Sequence, residues 1–466
     1  MTAPLVLDGC LVLDGCAVAT VDAAGTEYAR GHLVLADGVI QAVGAGPAPA
    51  GLVERLPAAS VVDATGCLAT PGLVNTHHHL YQWATRGFAA DAGLFDWLRT
   101  LYPLWARMDA EVVGVAATAG LARLALTGCT TSSDHHYVFP AGRGDLLGAT
   151  VTAAAAVGLR LHATRGSMDL GESAGGLPPD SVVEDTDAAL AATEEAVLRY
   201  HDPGPGAMVR VGVAPCSPFS VSGRLLTEAA GLARRLGVRL HTHLAETQDE
   251  EAYCRTTFGR SPVDYLADLG WLGDDVWLAH CVHLSGPAVA RLAATGTAVA
   301  HCPGSNARLG AGLAPVRDLL DAGVPVGLGV DGAASNEHGG LADELRNALY
   351  WARLAGGPTA LSTREALWLA TQGGARALGR AGEIGSLEVG KRADVALWRV
   401  DGPWHGDLVD PVTALVLGPP APLARLLVEG RPVVVDGELR TVSVTEAGQA
   451  LRAARRRLLP EPEVAR

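Results

Sequence analysis

The segment Pro71-Gly72-Leu73-Val74-Asn75-Thr76-His77-His78-His79 decides the fold. It sets a short apolar strand after a Pro-Gly pair and ends it in three consecutive histidines. In an extended chain residues i and i+2 share a face. His77 and His79 therefore point to one side and His78 to the other. Upstream of Pro71 the pattern is all-β. The runs Leu5-Val6-Leu7, Leu11-Val12-Leu13 and His32-Leu33-Val34-Leu35 are separated by Asp-Gly and Gly turns, as hairpins require, and Val61-Val62-Asp63-Ala64-Thr65-Gly66 continues the pattern. Downstream, short apolar strands alternate with Ala/Leu-rich helical stretches such as 112–126 and 186–200, which argues for βα units and a parallel sheet. Strands are expected at 72–76, 130–134, 160–164, 209–214, 238–244, 276–281, 298–302 and 326–331. Eight strands alternating with helices suggest a closed (β/α)8, or TIM-type, barrel.

Strand-like runs return at 394–398, 426–428 and 433–435, with turns at Glu429-Gly430 and Asp436-Gly437. The two chain ends are thus expected to build one small β-sandwich domain from residues 1–70 and 383–441. The barrel, 71–382, is inserted between them, and a helix closes the chain within 442–466.

The chain has 466 residues, room for a large barrel with an appendage. Hydrophobic residues at 48% and charged residues at 18% exclude a disordered chain. Lys+Arg 36 against Asp+Glu 50 gives a net charge of −14, which argues against holding nucleic acid by counterion release. The one basic run, Arg455-Arg456-Arg457, is short. No run reaches the ~18 apolar residues of a membrane span, and no basic leader precedes an apolar stretch. Eight scattered cysteines, none in a Cys-x-x-Cys pair, favour a reducing compartment. These features lead us to expect a cytoplasmic protein with a small-molecule partner, using neither nucleic acid nor membrane.

Barrels of this type carry their chemistry at the C-terminal ends of the strands. His77 and His79 end the first strand. His243 ends the fifth, with Glu246 three residues on. His280 ends the sixth and Asp331 the eighth. Three histidines and an aspartate suit one divalent cation, with His280 and Glu246 to spare. His241 shares a face with His243 one step deeper and is expected to support a ligand rather than be one. His283 and His301 read as structural. Pro303-Gly304-Ser305-Asn306 reads as a rigid loop supporting the site, and Ser335-Asn336 follows Asp331 in a similar way.

At His77-x-His79, Pro71-Gly72 and His243-x-x-Glu246 the sequence resembles the amidohydrolase superfamily, in the branch of guanine and cytosine deaminases and triazine hydrolases. Gly385-Ser386-Leu387-Glu388-Val389-Gly390-Lys391-Arg392-Ala393-Asp394 resembles a closing segment of these enzymes. The resemblance spans essentially the whole chain. It implies metal ligands at His77, His79, His243 and Asp331, with Glu246, His280 and Asp331 catalytic. Leu94-Phe95-Asp96-Trp97-Leu98, Leu101-Tyr102-Pro103-Leu104-Trp105 and Asp134-His135-His136-Tyr137-Val138-Phe139-Pro140 resemble pocket-wall segments of 8-oxoguanine deaminases. Many binuclear relatives bridge two metals with a carboxylated lysine on the fourth strand. Here that strand ends in Val213-Ala214-Pro215-Cys216, and the only lysine of the chain is Lys391. One Zn²⁺ per subunit is therefore expected, with Fe²⁺ also compatible with the ligand types.

The implied reaction is hydrolytic deamination of a free nucleobase: 8-oxoguanine to urate plus ammonia first, isocytosine or guanine next. The alternative is hydrolysis of an aminated triazine, by dechlorination or deamination. A non-catalytic barrel scaffold would predict missing ligands, and all four are present. Gln82, Trp97, His136, Cys216 and Phe219 are expected to touch substrate. Arg165 is placed to reach an oxo substituent, and Trp105 either to stack on a base or to plug the barrel mouth. The family implies a homo-oligomer, often a dimer.

Overall fold

A computed structural model of the chain describes residues 10–54 and 60–459. The Leu5-Val6-Leu7 run lies outside the described residues, as do positions 460–466. Eight parallel strands form one sheet in sequence order: β1 (Leu73–Asn75), β2 (Cys129–His136), β3 (Arg160–Ser167), β4 (Val209–Pro215), β5 (Leu240–Leu244), β6 (Val276–His280), β7 (Ala298–His301) and β8 (Val326–Leu328). The last strand closes onto the first through few bonds. The Thr76 N–H and Oγ1 both donate to the Leu328 carbonyl (2.9 and 2.8 Å). The Val330 N–H donates to Asn75 Oδ1 (2.9 Å), and the Asp331 N–H donates to the His77 carbonyl (3.0 Å). Barrel closure and site assembly are therefore one event, because the closing bonds set Asp331 beside His77.

The intervening helices start where sequence chemistry lets them. Helix Ala110–Leu126 is capped by Asp109, which accepts the Val112 N–H, and helix Thr186–Tyr200 by Asp185, which accepts those of Asp187 and Ala188. Helix Val444–Leu458 returns to the barrel, where Arg457 pairs with Asp109 (2.6 Å) and Glu111 (2.8 Å). No helix among the described residues is long and apolar enough to cross a membrane.

The chain ends build a second, nine-stranded mixed sheet. Cys67–Pro71 of the N-terminal part pairs antiparallel with Val395–Arg399 of the C-terminal part. Period-2 alternation gives this sheet two faces. Cys67, Ala69, Val395 and Leu397 join Leu13, Leu33 and Ile40 in one buried cluster. Leu68, Ala396 and Trp398 turn to the barrel's core. Among the described residues no helix contributes to the first cluster. Asp37-Gly38, Glu429-Gly430 and Asp436-Gly437 each take positive φ at both residues, the geometry of two-residue hairpins. Asp14-Gly15 does not turn. It lies inside strand Leu11–Ala19, where the register shifts after Asp14 and Gly15 sits at φ 83°, a bulge. The same dipeptide serves both geometries because both need a left-handed residue.

Arg160 ties the two sheets together. Fully buried, it donates to both carboxylate oxygens of Asp394 (3.2 and 3.1 Å) and pairs with Glu429. Arg160→Met leaves Asp394 buried without its cation. The expected loss is about 3–5 kcal/mol, the cost of breaking one side of a buried pair, read as a lowered urea midpoint. A midpoint unchanged from the parent would contradict this anchoring role.

Candidate metal centre and active site

Strand alternation carries His77 and His79 inward, as the sequence implies, and turns His78 away, where its Nδ1 accepts the His79 N–H (2.9 Å). Each inward ring has one nitrogen committed. His241 Nδ1 donates to the Trp277 carbonyl (2.7 Å), so His241 Nε2 is an acceptor and takes the proton of His77 Nδ1 (2.8 Å). His79 Nδ1 donates to the His135 carbonyl (2.6 Å), and His243 Nδ1 to the Cys216 carbonyl (2.6 Å). Three Nε2 lone pairs are left facing one point. His79 Nε2 lies 3.1 Å from His243 Nε2, and Asp331 Oδ1 lies 3.3 Å from the Nε2 of both His77 and His79. His77 Nε2 is buried with no hydrogen-bond partner. Lone pairs and a carboxylate oxygen crowded together repel unless a cation sits among them, so this donor set fits a divalent metal.

Electrostatics keep the set ready to bind. Burial pushes His77, His79 and His243 below the ordinary imidazole value, which leaves them neutral, with lone pairs able to bind a cation. Burial alone would raise Asp331, but the adjoining His77 ring and the positive charge of His280 outweigh it and hold the carboxyl well below its usual range. Its Oδ2 accepts from Ser305 Oγ (2.6 Å) and Ser335 Oγ (3.1 Å). Cys216 stands near the place of the missing lysine, its Sγ 4.0 Å from His243 Nδ1. Burial pushes its thiol up to about 12.

The two spare groups meet at the same mouth. Glu246 Oε2 lies 3.7 Å from His280 Nε2, and His280 Nδ1 donates to Asn306 Oδ1 (3.0 Å). Burial raises Glu246 to about 7. His280 is lowered by burial, yet Glu246 and Asp331 outweigh this and raise it. Ala245, His280, Cys281 and Asp331 all take positive φ (52°, 71°, 50° and 62°). Each such residue costs about 1–3 kcal/mol, a concentration of strain typical of functional sites. Glu250 holds part of it, accepting the N–H groups of Ala245 (2.8 Å) and Glu246 (2.9 Å).

These groups open into a cavity of about 370 Å³ lined also by Gln82, Trp97, Cys216 and Phe219. Both amide atoms of Gln82 are buried and unpartnered. A methyl at Gly332 would meet Gln82 Oε1 at 1.8 Å, so only glycine leaves that amide its place. His136 is not in this wall. It turns outward, its Nε2 donating to the Val138 carbonyl (2.9 Å) and its ring beside Tyr81 and Phe139. Arg165 is likewise committed, to Glu184 (2.6 Å) and over the Phe139 ring. Trp105 packs behind the wall against Tyr81, Trp97 and Tyr102. Sequence reading missed His135, which shares the inward face with Ser133. Its ring stacks on His243 at 4.7 Å, and its Nδ1 has no partner. Tyr102 and Tyr137, which fall in the segments expected to form the pocket wall, line the cavity.

A barrel with this donor group at its strand ends is a metal-dependent hydrolase. The chain belongs to the amidohydrolase family, whose profile matches residues 68–435. It is 45% identical to 8-oxoguanine deaminase of Pseudomonas aeruginosa, an alignment covering 91% of this chain and 94% of that enzyme. It is 37% identical to hydroxydechloroatrazine ethylaminohydrolase of Pseudomonas sp. (strain ADP), covering 94% of each. Among solved structures, an atrazine chlorohydrolase from Arthrobacter aurescens TC1 complexed with zinc superposes with a TM-score of 0.90 at 33% identity, covering 96% of this chain and all of that one.

His241 orients His77, so His241→Ala should weaken zinc binding by about 10–100-fold, measured by competition with a chromophoric chelator. Parental affinity in that variant would contradict the tautomer chain above.

Proposed function

We propose that this protein is a zinc-dependent aminohydrolase that converts 8-oxoguanine to urate and ammonia. The observation that carries the reading is the unpartnered amide of Gln82 at the wall of the cavity beside the metal group. A primary amide offers a donor and an acceptor together. That matches the N–H and carbonyl edge of 8-oxoguanine, an edge also present in guanine and isocytosine. The similarity to an 8-oxoguanine deaminase supports the same reading.

His77, His79, His243 and Asp331 would hold the ion. Zinc held there would supply Lewis-acid activation of the attacking water, whose pKa it would bring from about 15.7 towards about 7. Glu246 takes a proton from the attacking water and delivers it to the ring nitrogen beside the amino-bearing carbon. His280 Nε2 faces the same region and steadies the oxygen as the carbon becomes tetrahedral. Asp331 accepts the second water proton and returns it to the departing amine, which leaves as ammonia. Trp97, Cys216 and Phe219 enclose the ring, and Trp97 is fixed by its Nε1 bond to the Ala334 carbonyl (3.0 Å). In this reading the enzyme works in the cytoplasm as a homodimer. All eight cysteines are free and buried, which suits a reducing compartment.

Glu246→Gln should keep its zinc and lose about 10²–10⁴-fold in turnover, measured as ammonia release. Normal turnover in that variant removes the proton shuttle. Ammonia release across 8-oxoguanine, guanine, isocytosine and an aminochlorotriazine tests the substrate. Turnover highest on 8-oxoguanine supports the reading. Chloride release from the triazine without ammonia from any purine would favour the dechlorinating alternative.

The pH profile carries a sign. Glu246 starts as a carboxylate, so activity falls as pH drops through its pKa. Burial sets that value near 7, and a bound cation can only lower it. The acid limb of kcat/KM should therefore lie at or below pH 7, and Glu246→Gln should flatten it. A limb retained unchanged in the variant assigns it to another group.

A further inference from the structure

Below the metal group, a barrel interior is normally filled by layers of branched aliphatic side chains. Here those positions carry histidine and arginine in their place. His135 faces the metal group, so Ser133 and its ladder partner His162 face the interior one layer lower, and Arg210 is level with His162. Arg239 lies two residues before His241, in the extended residue that leads into β5, and so shares the side of His241. His162, His201, Arg210 and Arg239 line one cavity of about 410 Å³ at this end of the barrel. Trp277, with ring centroids 5.2 Å from His162 and 4.4 Å from His241, parts it from the metal group.

The donors here outnumber their acceptors. Among the described residues, Arg160 pairs with Asp394, Arg392 with Glu429, and Arg210 and Arg380 share Glu383. Arg239 has no carboxylate partner. Its Nη2 donates to the Ala377 carbonyl (2.9 Å), its Nε finds no acceptor, and Asp275 is taken by Arg234 (2.9 Å). Arg210 Nε, His162 Nδ1, and Arg380 Nε and Nη1 are buried and unpartnered too. Five guanidinium groups thus meet three carboxylates in a chain whose net charge is −14. Burial and the charges of Arg380, Arg239 and Arg210 push His162 well below its ordinary value, in line with a local positive excess.

We propose that this cavity binds a small tetrahedral oxyanion, either inorganic phosphate or the phosphoryl group of a nucleotide. Guanidinium groups pair with oxyanions through charge-assisted hydrogen bonds, and donors arriving from β3, β4, the residue before β5 and the His201 loop suit four oxygens better than a flat carboxylate.

Calorimetric titration of the zinc-loaded enzyme with inorganic phosphate, and separately with adenosine monophosphate, tests this at matched ionic strength in chloride. One saturable site per chain is expected, weakened about tenfold or more by Arg239→Gln and unchanged by Arg234→Gln. Ammonia release from 8-oxoguanine in phosphate-free buffer should be unaffected by Arg239→Gln. Tighter binding of the nucleotide than of phosphate assigns the phosphoryl source, and the reverse assigns the free ion. A wild-type enzyme that shows no saturable heat with either anion, and no rise in Tm with phosphate over chloride, overturns the proposal whatever the variants do. Binding unchanged by Arg239→Gln overturns it as well.

Discussion

The site depends on one backbone contact, the hydrogen bond from the Asp331 N–H to the His77 carbonyl. It joins the last strand of the barrel to the first. Together with the Thr76–Leu328 and Val330–Asn75 bonds, it brings the carboxylate and the two histidines of the first strand, far apart in sequence, into one space. With it, Asp331 Oδ1 comes to 3.3 Å from both rings. Everything else in the mouth of the barrel serves to hold that junction. Asn75 caps it from one side through Val330, and Ser305 and Ser335 fix the second carboxylate oxygen. Asp331 accepts this at a positive φ, so strain is stored where the chemistry is.

Burial does the rest of the electrostatic work. It keeps three imidazoles neutral and lone-pair donating, lifts Glu246 to about 7, and pushes the Cys216 thiol up to about 12. Opposite outcomes for two carboxyls in one site follow from their neighbours. Asp331 touches histidines and stays ionised, whereas the cation facing Glu246, His280, does not outweigh its desolvation. One acid poised near neutrality beside one fixed anion is the arrangement that proton transfer to a ring nitrogen needs.

Much of this was legible in the chain. Eight short apolar runs between helical stretches gave the barrel, and the period-2 rule assigned His77 and His79 inward and His78 outward. His241 lies one step deeper than His243, as counting along the strand implies, and its Nε2 meets His77 Nδ1 at 2.8 Å. What was not legible depends on register or on tertiary contact. The second strand runs to His136, two residues beyond its expected end, and parity then selects His135 for the interior and sends His136 outward. Arg165 looked free until the fold brought Glu184 to it. Asp14-Gly15 carries the same letters as a hairpin turn but forms a bulge, since its neighbours pair straight through it. Glu250 lies in a helix with no local mark of its role, which exists only because the strand before it bends back.

The central claim is that His77, His79, His243 and Asp331 hold one divalent ion on which hydrolysis depends. The direct measurement is metal content by mass spectrometry alongside ammonia release from 8-oxoguanine, before and after exhaustive chelation. One zinc per chain is expected, with ammonia release lost along with the metal and recovered on adding zinc back. Full activity in a preparation shown to be free of metal would contradict it.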